Sequence, residues 1–116
     1  EMFADCLPGR IAFSDIDAVT EICGNLLFIE WKEHQGICKG QEILFKQMTR
    51  LGSASVLIVE GNAELMTVES LRFVWNGKIS PPEPANLDVL RRQIIGWKDW
   101  ALMNPARLRK QELPCN

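Results

Sequence analysis

The chain has 116 residues, of which 47% are apolar and 24% charged, with a formal net charge of −2. That is the size of one domain and the mix of an ordinary globular chain, which excludes a disordered, collagen-like or coiled-coil protein and leaves no global positive field to draw in nucleic acid. An apolar run such as Leu26–Ile29 is four residues long, far short of a membrane span, and the first residues lack the basic-then-apolar order of a signal peptide.

Glu1 ahead of Met2 reads as an added residue rather than a natural start, and Met2–Leu7 as a short helical turn ended by Pro8-Gly9. From Asp17 to Cys23 the pattern is that of a strand, with Asp17, Val19, Glu21 and Cys23 on one face and Ala18, Thr20 and Ile22 on the other. Gly24-Asn25 marks a tight hairpin turn, and Leu26–Lys32 (LLFIEWK) follows as a strand apolar enough to be central in a sheet. Glu33–Lys39 is a polar loop. Gly40–Leu51 has Leu44, Met48 and Leu51 at helical spacing, and Gly52 closes that helix. Ala54–Glu60 (ASVLIVE) is a buried strand, parallel to the second because a helix connects them.

Leu65–Trp75 and Lys78-Ile79 form an outer hairpin around Asn76-Gly77, and Pro81, Pro82 and Pro84 a stiff connector. Asn86 caps a last helix over Leu87–Met103, with Leu90, Ile94, Trp97 and Ala101 along one stripe; Asn104-Pro105 ends it ahead of a loose tail. The order strand, strand, helix, strand, strand, helix predicts one α/β domain over 1–116, a central mixed sheet flanked by helices.

Residues 81–116 hold six cations against four carboxylates, a net of +2, so the rest of the chain carries −4. This split suits a polyanion partner without requiring one. Trp97 and Trp100, beside Arg91, Arg92 and Lys98, are the best candidates for an exposed patch, which a dimer interface explains as well as nucleic acid does. Cys6, Cys23, Cys38 and Cys115 contain no CxxC pair, which argues against a zinc site; they read as free thiols in a reducing cytoplasm, Cys23 as a small buried residue. His34 is the only histidine and reads as a solvated loop residue, and no nucleophile-elbow glycines surround Ser14.

Three polar residues stand where a packed fold would rather have apolar ones. Asp17 opens the first strand, and Glu30 and Lys32 end the second on one shared face. The hairpin can set Asp17 beside Glu30, and two neighbouring carboxylates repel unless a proton or a cation lies between them. Mg²⁺ prefers such oxygen donors, and Lys32 stands where it can stabilise charge developing on a phosphate. The parts are those of metal-assisted phosphodiester hydrolysis. A solvated Glu-x-Lys ion pair is the plainer reading of the same residues.

The segment S-D-I-D-A-V (Ser14 to Val19), then L-F-I-E-W-K (Leu27 to Lys32), then K-G-Q (Lys39 to Gln41) opening a helix, resembles the PD-(D/E)XK nuclease superfamily, the restriction-endonuclease-like fold. Within it the chain is most similar to small phage- or prophage-type members, and somewhat to the VRR-NUC group. The motifs cover residues 10 to 60, and the pattern alone continues to 103. The resemblance implies Asp17 and Glu30 as metal-binding acids, the backbone carbonyl of Trp31 as a further ligand, Lys32 as the catalytic lysine and Gln41 as a catalytic-site glutamine. Gln41 also lies on the core-facing stripe of its helix, where a polar side chain should find a polar partner. No proline precedes either aspartate, and Asp15 is an outer or alternative ligand; Glu21 is too far from the strand tip.

The resemblance implies a Mg²⁺-dependent deoxyribonuclease, with Mn²⁺ as a substitute ion, cleaving DNA that is branched, flapped or of no special sequence, as a homodimer where two sites are needed. Two other classes compete. One is a binding module that keeps the fold without catalysis, and the other an assembly subunit in which Glu30 and Lys32 merely pair.

Overall fold

The computed structural model describes residues 16–33 and 37–106. In chain order they form β1 (Ala18–Ile22), β2 (Asn25–Lys32), α1 (Lys39–Thr49), β3 (Ala54–Asn62), β4 (Thr67–Trp75), β5 (Lys78–Ile79), β6 (Glu83–Pro84) and α2 (Leu87–Met103). The strands make one six-stranded sheet in the order β1-β2-β3-β4-β5, with β6 also on β4. Only β2 and β3 run parallel, joined through α1, and every other pair is antiparallel. The fold is therefore α/β, with a mixed sheet between helices.

The period-two alternation of the strands divides the core in two. Leu27, Leu57, Val59 and Leu71 face α2 and pack on Leu90, Trp97 and Ala101, while Val56, Ile58 and Val74 face α1 and pack on Phe45. β3 is buried on both faces over Ala54–Val59, which is why its sequence is a continuous apolar run rather than an alternation. The side chain of Asn86 accepts the Val89 amide at 2.9 Å, so α2 begins where the capping residue placed it.

The β1–β2 turn is one residue earlier than Gly24-Asn25. Ile22 pairs with Asn25, and the loop is Cys23-Gly24 with φ of 54° and 84°, the pair of positive values a two-residue hairpin of matching twist demands. Asn25 is instead a buried strand residue whose amide donates to the carbonyls of Ala101 (3.4 Å) and Asn104 (2.9 Å), tying the end of α2 to the hairpin. The Ala106 amide then bonds the Cys23 carbonyl, and a Cβ at Gly24 would come within 2.6 Å of the Ala106 carbonyl oxygen. Cys23 itself is disulfide-bonded, its partner lying outside the described residues, while Cys38 is free and exposed. The free-thiol reading of Cys23 is corrected, and since disulfides persist mainly in oxidising compartments, that ground for a reducing cytoplasm falls with it.

Three further expectations shift. α1 ends at Thr49, so Leu51 lies past it and is exposed, and the inward positions are Phe45 and Thr49. The Thr49 hydroxyl donates to the Phe45 carbonyl (2.9 Å) and accepts the Gly77 amide (3.1 Å), which joins α1 to the β4–β5 turn. β4 starts at Thr67, because Leu65 and Met66 belong to an exposed turn held by Asn62. Trp97 is core, 6% exposed, and only Trp100 of that pair reaches the surface. The Met2–Leu7 turn, Ser14, Asp15, His34 and the tail beyond Ala106 lie outside the described residues.

Candidate active site

Glu30 and Lys32 follow Phe28 on the α1 face of β2, where the apolar layer gives out. Register carries the polar end across the sheet: Ile58 and Glu60 of β3 lie beside Glu30 and Lys32, and Arg72 and Ser70 of β4 lie beside Ile58 and Glu60. The first turn of α1 covers this end.

Glu30 is 8% exposed, a burial that a carboxylate tolerates only with partners. Lys32 Nζ stands 3.5 Å from its Oε1, and Gln41 Nε2 donates to the same oxygen at 3.5 Å. Both distances are long for a hydrogen bond. The polar partner expected for Gln41 is thus Glu30. Beside them Ser70 Oγ donates to Glu60, and Arg72 Nε donates to the Ser80 carbonyl at 3.0 Å. Glu42, in the same first turn, titrates below the ordinary glutamate value, first through its hydrogen bond and charge contact with Lys46, then through Lys39 and Arg72.

Asp17 stands one position before β1, opposite Glu30 when the Ala18–Ile29 pairing is extended. Its Oδ2 accepts the backbone amide of Trp31 at 2.8 Å, so the carboxylate closes the open edge of β2. The amide and carbonyl of a strand residue point to the same side, and the Trp31 carbonyl therefore turns toward that same edge. Glu30, Lys32 and Gln41 meet directly, while Asp17 joins them through the backbone of the residue between Glu30 and Lys32.

The donors available to a cation are the carboxylates of Asp17 and Glu30 and the carbonyl of Trp31. They are hard oxygens, which fit Mg²⁺, an ion that commonly takes one or two protein carboxylates and fills its remaining positions with water and substrate phosphate. Among the described residues no group of three or more His, Cys, Asp and Glu side chains is close enough to hold a metal unaided.

Glu60, Ser70 and Arg72 were not singled out from the sequence. The available signals were slight: Glu60 ends ASVLIVE much as Glu30 ends its own apolar run, and Ser70 and Arg72 alternate with the apolar Leu71 and Phe73. Only the register brings these residues beside Lys32.

Comparison with family models, with curated proteins and with solved structures found no match.

Proposed function

We propose that the chain is a small Mg²⁺-dependent nuclease of the PD-(D/E)XK type, hydrolysing phosphodiester bonds of DNA. The observation that carries the reading is the meeting of Glu30, Lys32 and Gln41 at the polar end of the α1 face, with the Asp17 carboxylate on the neighbouring edge. Bound Mg²⁺ supplies Lewis-acid activation of the phosphate and of the attacking water. Glu30 and Asp17 hold their charges on adjoining strands, and Gln41 fixes the orientation of the Glu30 carboxylate. Lys32, tethered beside Glu30, offers its ammonium to the negative charge that develops on the phosphate. Arg72, on the same face two strands away, adds a second cation for a phosphate further along the backbone. So small a domain has few elements left for reading sequence, which favours branched, flapped or non-specific DNA. A homodimer would supply the second site a branched substrate needs.

The engagement of Asp17 with a backbone amide favours, as the second reading, a binding module that keeps the fold without cleaving. A gel assay of linear duplex, single strand and four-way junction with Mg²⁺, and with EDTA as control, separates the two. Metal-dependent cleavage of any of these substrates is expected, and retarded but intact DNA would favour the binding module.

A further inference from the structure

Glu60 stands where the apolar layer of the α1 face ends, and the site described above gives it no task. It is the parallel-strand partner of Lys32, so both side chains rise from the same face of the sheet. Ser70 lies opposite it on β4, and the Ser70 hydroxyl donates to its Oε1. Among the described residues no cation lies within ion-pair distance of the Glu60 carboxylate. A hydroxyl cancels none of its charge, so the carboxylate keeps its attraction for a neighbouring cation. The neighbour in register is Lys32.

Lys32 leans the other way. Its Nζ is 3.5 Å from Glu30 Oε1, the oxygen to which Gln41 also donates. Glu30 is one of the two carboxylates available to a divalent ion. An ion there and the ammonium compete for the same oxygen, and their like charges repel. The ammonium has a second seat within reach. Neighbouring strands lie about 4.8 Å apart, and the four-carbon stem of lysine crosses that gap by rotation about its own bonds, with no movement of the backbone. Ser70 fixes the Glu60 carboxylate in place to receive it.

We propose that Glu60 is a positioning residue for Lys32, drawing the ammonium off Glu30 when a divalent cation arrives there and holding it at the flank of the site. This inference rests on the Mg²⁺ site proposed above and assigns Glu60 no bond to the ion.

A double-mutant cycle read by metal binding alone tests it, without DNA and without cleavage. The affinity for Mg²⁺ is taken from the rise of melting temperature with ion concentration. Glu60→Gln keeps the size of the side chain and an acceptor for Ser70 but removes the charge. It should weaken Mg²⁺ binding at least about threefold, because the ammonium then stays on Glu30. In the Lys32→Ala background, where no ammonium competes, the same substitution should leave the affinity unchanged. Ser70→Ala should weaken binding in the parent chain, and Ser70→Thr, which keeps the hydroxyl, should not; this pair decides the matter if Glu60→Gln disturbs folding in EDTA. An equal loss from Glu60→Gln in both backgrounds would make Glu60 a ligand of the ion and overturn the proposal, as would no loss in either. Both results leave the nuclease reading standing, whereas a parent chain that binds no Mg²⁺ overturns the two together.

Discussion

Glu42 shows how one contact sets the behaviour of a residue here. Its carboxyl is held below the ordinary range by the Lys46 ammonium 2.8 Å away, so its contribution to stability is present above the usual glutamate pKa and is lost as pH falls through the lowered folded value. Lys46→Ala should return the Glu42 titration, followed by carbon-detected NMR, toward that of a free glutamate. Exposure of this pair keeps the accompanying change in stability small. Cysteine chemistry divides in the same residue-by-residue way. An alkylating reagent applied to the unreduced native protein should modify Cys38, and Cys23 only after reduction, as read by mass spectrometry of the peptides. Alkylation of Cys23 without reductant would contradict the disulfide.

Between elements, the residue whose loss should be felt most is Asn25. It is 2% exposed and its amide donates to two carbonyls at the end of α2, so Asn25→Ala removes this tie and is expected to cost about 1 kcal/mol in denaturant unfolding. A cost under the scatter of a surface substitution would show that the α2 end does not depend on this tie. The sequence reads Asn25 as a turn residue, since Gly-Asn is a common turn pair, and nothing local distinguishes a solvated asparagine from one that docks a helix 76 residues away. The same limit explains the other misreadings. β2, β3 and α2 are legible because their patterns are local: an apolar run, a second apolar run, a capped amphipathic stripe. Trp97 could be assigned to a stripe but not to core or surface, because that depends on which face of α2 the sheet covers. Glu30, Lys32 and Gln41 can be named as candidates from spacing, whereas Glu60, Ser70 and Arg72 enter only through pairing of strands distant in sequence.

For the molecule as a whole, the division of the sheet into an α1 face and an α2 face separates two kinds of surface. The α1 face ends in charges at Glu30, Lys32, Glu60 and Arg72, and the α2 face ends in a groove lined by Trp75, Trp97 and Trp100. If the charged end holds Mg²⁺, the ion binds the folded chain and not the unfolded one, and saturating Mg²⁺ should raise the melting temperature. Glu30→Ala should abolish that rise, while Lys32→Ala should keep most of it. The measurement that tests the central claim most directly is the rate at which Lys32→Ala nicks supercoiled plasmid with Mg²⁺, beside the parent chain and Glu30→Ala. The expected result is cleavage by the parent and none by either variant, with the metal-induced thermal shift retained in Lys32→Ala. Cleavage by Lys32→Ala and Glu30→Ala at the parental rate, or no metal-dependent cleavage by the parent on any DNA form, would contradict it.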